Sequence, residues 1–153
     1  MSWINEAMPI PKIICPLHKV LVIDDNPIIL RAVYFALRDK GCSVLMCGDV
    51  TGAMRHIRQE RPELIVLDIH FPPESGLDGE RDGFWALNWM RQLKESQDTP
   101  VIMISSDDPE IARPRALAAG AAAFLQKPID KDELAKLVLH LIEQSHAPAA
   151  ALA

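Results

Sequence analysis

The chain has 153 residues, a formal net charge of −5 and 49% hydrophobic residues, which is typical of a single globular domain. This mild acidity speaks against nucleic acid or an anionic membrane as a direct partner, because both favour clusters of basic residues. No apolar run approaches the length of about 18 residues that spans a bilayer, and the first residues lack the features of a signal peptide. The three cysteines have neither metal-site nor redox spacing. These features predict a cytoplasmic protein.

Short apolar runs alternate with helical patterns along the chain. Five strands are predicted from the apolar runs over residues 20–23, 43–46, 64–67, 100–104 and 122–126. Helical spacing predicts five helices, over residues 27–39, 50–60, 84–94, 109–119 and 131–145. Uniformly apolar strands that alternate with helices are typical of a parallel sheet covered on both faces. The pattern therefore predicts an α/β fold, a single doubly wound (βα)5 domain.

The first strand runs directly into two adjacent acids, in the stretch VLVIDDNP. Asn26 and Pro27 are typical of a helix start, as N-cap and first helical residue. Asp24 and Asp25 should therefore lie at the carboxyl end of a buried strand. Like charges this close raise each other's pKa unless a positive charge lies between them. This crowding points to a bound metal ion.

Polar side chains also follow three later strands. Asp68 ends the third, Ser105 and Ser106 end the fourth, and Lys127 follows the fifth. Because parallel strands share one carboxyl edge, these groups and the first two acids should meet in one crevice. Carboxylate oxygens suit Mg²⁺, and a central carboxylate such as Asp68 can attack phosphorus. The metal, Lys127 and Ser105 would then bind the phosphoryl oxygens.

Four motifs, VLVIDDNP, LIVLDIHFP, PVIMISS and LQKP, together resemble the response-regulator receiver domain, the phosphoacceptor module of two-component signalling. The resemblance covers about residues 19–145. It leaves residues 1–18 as an N-terminal extension and residues 146–153 as a flexible C-terminal tail. It also implies a flavodoxin-like sheet with the strand order 2-1-3-4-5.

The resemblance implies a Mg²⁺ site at the end of the first strand. Asp24 and Asp25 match the acidic pair that holds the ion in this family. Asp68 and the backbone carbonyl of His70 match the remaining protein ligands.

The resemblance also implies roles in phosphoryl chemistry and switching. Asp68 matches the phosphorylated aspartate, and Ser105 and Lys127 match the residues that assist its phosphorylation. Ser105 and Phe124 match the pair whose rearrangement transmits the phosphorylated state.

The loop before the third helix departs from the family pattern. Receivers carry an Asp-Gly pair soon after the proline that follows the phosphoacceptor, and here Ser75-Gly76, Asp78-Gly79 and Asp82-Gly83 compete for that position. We choose Asp82-Gly83, because helical spacing continues from it. The loop is then about seven residues longer than usual. It either tunes access to the phosphorylation site or is a tolerated surface insertion.

The fourth helix contains a proline at position 114. Asp108 and Pro109 form a plausible start, but an interior proline removes a hydrogen bond and costs about 3 kcal/mol. The helix should therefore either begin only at Pro114 or be kinked there. A poorly formed first turn would make this face of the domain mobile.

The implied function is that of a phosphorylation-dependent switch. Asp68 would take a phosphoryl group from a histidine kinase or a histidine phosphotransfer protein, and the chain would signal to a downstream protein target by direct contact. Only 26 residues follow Lys127, so no DNA-binding output domain is expected, and no enzyme activity beyond the domain's own phosphoryl chemistry. A homodimer through the last helices is left open.

Three alternatives remain. The chain could be a binding module that works without phosphorylation, or the receiver fragment of a longer regulator. A phosphohydrolase of the haloacid-dehalogenase type would need a second aspartate two residues after Asp68, where this chain has His70.

Overall fold

The structure, a computed structural model, describes residues 17–71 and 82–146. Strands and helices alternate throughout this part of the chain. In order, they are β1 (His18–Ile23), α1 (Pro27–Arg38), β2 (Cys42–Cys47), α2 (Val50–Glu60), β3 (Leu64–Asp68), α3 (Gly83–Met90), β4 (Val101–Ser105), α4 (Pro109–Ala118), β5 (Ala123–Gln126) and α5 (Lys131–His146). All ten predicted elements are present.

The five strands form one sheet in the order β2-β1-β3-β4-β5, and every neighbouring pair is parallel. In the register, Val22 of β1 pairs with Val66 of β3, and Asp68 pairs with Ile104 of β4. The predicted doubly wound α/β fold and its strand order 2-1-3-4-5 are confirmed. The order reverses between β1 and β3, where ligands bind in open sheets of this kind.

Helices cover both faces of the sheet, which explains why the central residues of the strands are apolar on both faces. Leu21 and Ile23 of β1 pack in one cluster with residues of α2, α3 and α4. Val20 and Val22 point the other way and pack with residues of α1 and α5. All four of these β1 side chains are fully buried. This packing fixes the carboxyl ends of the strands as a rigid edge.

Helix α3 is shorter than the helical spacing predicted. It ends at Met90 instead of reaching Lys94. The buried hydroxyl of Ser96 donates to the Met90 carbonyl oxygen at 2.7 Å, and Arg91 donates to the Thr99 carbonyl oxygen at 2.7 Å. Ser96 thus satisfies a backbone oxygen at the helix end, and Arg91 satisfies one in the loop that leads to β4, so the chain turns after Met90 with these oxygens bonded.

Helix α4 begins at Pro109 and contains Pro114 in its interior, so the alternative that it begins only at Pro114 is wrong. The Asp108 side chain accepts from the Glu110 N–H at 3.0 Å, and its carbonyl accepts from the Ala112 N–H at 2.9 Å. This local cap starts the helix independently of the later proline. The mobility of the first turn stays a prediction that amide exchange would test.

Some predictions fall at or beyond the limits of the described residues. β1 and α5 each extend one residue beyond the expected receiver boundaries, to His18 and His146. Residues 1–16, 72–81 and 147–153 are outside the described part, and with them the hypothesis for the long loop. Among the helices described, none combines the length and apolar character that crossing a membrane requires.

Candidate functional site

The end of β1 presents two acids in very different environments. The Asp24 side chain is fully buried, whereas Asp25 is exposed. The Asn26 N–H donates to Asp24 Oδ1 at 2.9 Å, and the Asn26 side chain accepts from the Ile28 N–H at 2.9 Å. The helix cap predicted at Asn26 is therefore formed, and the same residue orients the Asp24 carboxylate.

Lys127 brings the carboxyl ends of β1 and β3 together. Its Nζ atom lies 2.7 Å from Asp24 Oδ2 and 3.3 Å from Asp68 Oδ1. The Lys127 N–H donates to the Ser105 carbonyl oxygen at 2.8 Å, which holds the lysine at the end of β4. Both carboxylates are almost fully buried, and 18% of the lysine side chain is exposed. One ammonium thus faces two buried carboxylates.

Burial and close contact shift the pKa values of Asp68 and Lys127. Burial, and then the neighbouring Asp24 carboxylate, raise the pKa of Asp68 from 3.8 to about 6, although Lys127 and the His70 N–H act in the opposite direction. Burial lowers the pKa of Lys127, but its contacts with Asp24 and Asp68 outweigh burial and the pKa ends above its ordinary value. Lys127 is therefore a cation at neutral pH.

The carboxylates have the arrangement of a hard-cation site. One oxygen each from Asp24, Asp25 and Asp68 lies within 4.8 Å of the others. Asp24 Oδ2 is buried, and among the described residues none forms a hydrogen bond of accepted geometry with it, so its contact with Lys127 at 2.7 Å is counted as an ion pair. A buried carboxylate oxygen in this state can still accept a metal ion. Oxygen ligands of this kind suit Mg²⁺.

A crevice of about 430 Å³ opens above these groups. Its lining residues are Asp24, Asp25, Asn26, Asp68, His70, Phe71, Ser106 and Lys127. Four of the predicted site side chains are thus brought together there: the three acids and the lysine. His70 also lines the crevice, and its backbone N–H donates a hydrogen bond to Asp68 Oδ1 at 3.3 Å.

The two predicted switch residues, Ser105 and Phe124, are not among the residues that line this crevice. Ser105 is fully buried, and its hydroxyl oxygen accepts from the Asp107 N–H at 3.0 Å. Phe124 on β5 is 4% exposed, and the Arg113 guanidinium carbon lies 5.8 Å from the centre of its ring. In the described structure it is Ser106, the second serine of the pair, that lines the crevice.

Sequence reasoning missed a contact beside the crevice. His70 Nε2 lies 2.6 Å from an Asp107 carboxylate oxygen, which connects the β3–α3 loop to the β4–α4 loop. The contact with His70 lowers the pKa of Asp107. The two residues are 37 positions apart, and neither belongs to a local motif that would have predicted the pair.

Gly83 allows α3 to approach the end of β3 closely. A Cβ atom at this position would overlap the Asp68 carbonyl oxygen and lie 2.7 Å from the Ile69 Cα atom. The Gly83 N–H donates to the Ile69 carbonyl oxygen at 2.6 Å, and the Asp82 side chain caps the helix through the Trp85 N–H. The choice of Asp82-Gly83 as the helix start agrees with this structure.

Comparison with known proteins identifies this arrangement. The family model of the response regulator receiver domain matches residues 20–139. The probable transcriptional regulatory protein TcrX of Mycobacterium tuberculosis is 33% identical over 115 residues, which are 75% of this chain and 45% of TcrX. The protein PilG of Pseudomonas aeruginosa is 32% identical over 116 residues, 76% of this chain and 81% of PilG. The chain thus spans less than half of one relative and most of another.

Solved structures agree with the family match. The chemotaxis response regulator CheY4 of Vibrio cholerae has a TM-score of 0.70 at 26% identity, covering 82% of this chain and 98% of CheY4. The receiver domain of NtrX from Brucella abortus has a TM-score of 0.69 at 30% identity, covering 81% of this chain and 98% of that domain. This chain therefore belongs to the family of response regulator receiver domains.

Proposed function

We propose that Asp68 accepts a phosphoryl group from a histidine kinase or a histidine phosphotransfer protein, and that the phosphorylated chain signals through protein contacts. The observation that carries this proposal is the contact of one ammonium with two buried carboxylates at the edge of the sheet. A cation placed there can stabilise additional negative charge close to Asp68.

Asp68 would act as the nucleophile. One of its carboxylate oxygens forms a bond to phosphorus while the bond between phosphorus and the donor histidine nitrogen breaks, and that nitrogen keeps the electron pair. The reaction requires the ionised carboxylate, and a pKa of about 6 leaves Asp68 mostly ionised at neutral pH. Lys127, at 3.3 Å from Asp68 Oδ1, is close enough to pair with a phosphoryl oxygen. Ser105 would bind another after its hydroxyl leaves the Asp107 N–H.

Mg²⁺ would be held by Asp24, Asp25, Asp68 and the backbone carbonyl of His70. When bound, the ion supplies positive charge that offsets the incoming phosphoryl oxygens. The close approach of one oxygen from each of the three acids supports this assignment. The exposed Asp25 carboxylate lies where a hydrated ion can reach it.

The output of the chain is the part of the proposal that depends on resemblance. We infer a rearrangement of Ser105 and Phe124 that changes a surface recognised by a downstream protein, in the cytoplasm and without direct contact to nucleic acid or membrane. Because the relatives differ in how much of their length this chain spans, a longer regulator with an added output domain is the main alternative.

The first test is intact-mass analysis after incubation with Mg²⁺ and acetyl phosphate. The wild type should gain the mass of one phosphoryl group, whereas Asp68→Asn should gain none. Asp25→Asn serves as a second variant. Because it lacks a proposed metal ligand, Mg²⁺ should no longer increase its phosphorylation. If the wild type gains no phosphoryl group from acetyl phosphate or from added histidine kinases, the proposal is overturned. That result would favour a binding module that works without phosphorylation.

A further inference from the structure

Two histidines and a glutamate meet at the edge of the sheet opposite the Asp68 crevice. His18 is the first residue of β1, Glu63 immediately precedes β3, and His146 is the last residue of α5. The Glu63 N–H donates to the Lys19 carbonyl oxygen at 2.8 Å, which fixes the glutamate backbone beside β1. Three separate elements therefore bring these side chains together.

The Glu63 carboxylate lies between the two imidazoles and uses a different oxygen for each. His18 Nδ1 lies 2.6 Å from Glu63 Oε2, and His146 Nε2 lies 3.7 Å from Glu63 Oε1. The imidazole centres are 6.4 Å apart, with ring planes tilted by 39°. The three side chains are 31% to 59% exposed, so they can turn without moving the backbone.

The cluster borders a concave part of the surface. His18 and His146 line a pocket of about 580 Å³ together with Leu139, Ile142 and Glu143 of α5. The pocket gives a small ion and its water ligands direct access to both imidazoles. Glu143 places a further carboxylate on the same wall.

We propose that His18, Glu63 and His146 form a binding site for a transition-metal ion of the zinc class. Two imidazole nitrogens and one carboxylate oxygen are ligands that Zn²⁺ favours, and water can complete the coordination. Mg²⁺ favours oxygen ligands, so this site is chemically distinct from the acidic cluster at Asp68.

The side chains must move before all three can hold one ion, because the two contacts run to different oxygens of Glu63. With zinc–ligand bonds of about 2.0–2.1 Å in a tetrahedral site, neighbouring ligand atoms are about 3.3 Å apart. The contact between His18 and Glu63 is shorter than this value, and that between His146 and Glu63 is longer. Binding therefore needs the imidazoles to rotate toward each other around the carboxylate. The ion would link the start of β1 to the end of α5.

Isothermal titration calorimetry of the full chain with Zn²⁺, in excess Mg²⁺ to occupy the acidic cluster, tests the proposal. The wild type should bind one zinc ion. His146→Ala and Glu63→Gln should each bind zinc at least about tenfold more weakly, since each loses a direct ligand. His140→Ala is the matched control, because His140 is an exposed histidine of the same helix, and it should bind like the wild type.

The outcomes separate a metal site from a surface ion-pair network. Asp25→Asn should retain the zinc site, which would show that the acidic cluster is not the one titrated. Circular dichroism would establish that each variant is folded. Zinc should raise the melting temperature of the wild type, His140→Ala and Asp25→Asn, but not that of His146→Ala or Glu63→Gln. Equal zinc affinity in His146→Ala and His140→Ala, or no zinc binding by the wild type, would overturn the proposal.

Discussion

Replacing Asp68 by asparagine should stabilise the protein in the absence of metal, and the gain should depend on pH. The folded state raises the pKa of Asp68 from 3.8 to about 6, first through burial and second through Asp24. Between these two values the folded state binds more protons than the unfolded state. The free energy of unfolding therefore falls as pH rises through this window, and the loss is complete above about pH 6. Asparagine does not titrate and removes this penalty.

The shift of 6 − 3.8 = 2.2 pKa units sets the size of the effect. At about 1.36 kcal/mol per unit, the ionised Asp68 costs about 3 kcal/mol at pH 8. At pH 4.5 only part of the window has been crossed, and the cost is about 1 kcal/mol. The advantage of Asp68→Asn over the wild type should therefore grow by about 2 kcal/mol between these two pH values.

Urea unfolding in the presence of a chelator, followed by circular dichroism at several pH values, measures this difference. Subtracting the wild type from the variant cancels the other titrating groups, provided that the slope of the unfolding transition is the same for both. A difference that does not change with pH, or a wild type that is more stable than Asp68→Asn at pH 8, would refute the reasoning.

Three further predictions concern residues around the site. Lys127→Met should lower the free energy of unfolding by about 3 kcal/mol in chelator, because the buried Asp24 and Asp68 carboxylates lose their cation, and added Mg²⁺ should restore more stability to it than to the wild type. Gly83→Ala should destabilise by about 3 kcal/mol in urea unfolding, since its Cβ meets backbone that cannot move aside. Arg91→Met should lose about 2 kcal/mol in the same assay, because hydrogen bonds from its guanidinium to loop carbonyls disappear.

The fold was predictable because each strand contains a short apolar run and several helices have their own start signal. The cap at Asn26 and the helix start at Asp82-Gly83 are examples in which local residues determine an element end. The early end of α3 was not predictable, because it depends on Ser96 reaching back to a carbonyl six residues earlier. Helical spacing alone carries no information about such a contact.

Some contacts of the candidate site were predictable from the sequence, and others were not. The acids and Lys127 follow strands directly, so the parallel sheet alone predicts that they converge, as they do. The His70–Asp107 contact depends on how two loops cross after the strands end. Its partners carry no spacing signal, and only the folded chain reveals it. The roles of these residues in phosphoryl transfer remain predictions.

The charges at the crevice link its chemistry to the stability of the fold. Asp24 and Asp68 place two buried carboxyl groups beside the single ammonium of Lys127. Among the described residues, the buried group thus holds two acids against one cation. Burial and this crowding are reflected in the raised pKa of Asp68. A divalent cation bound by the three acids would balance the charge, because its two positive charges and the ammonium of Lys127 would then face three carboxylates. It should stabilise the folded chain and, in the same step, keep Asp68 in the ionised form that attacks phosphorus. Metal binding, stability and phosphoacceptor activity should therefore rise together in a Mg²⁺ titration, and a metal-dependent gain in one without the others would separate them.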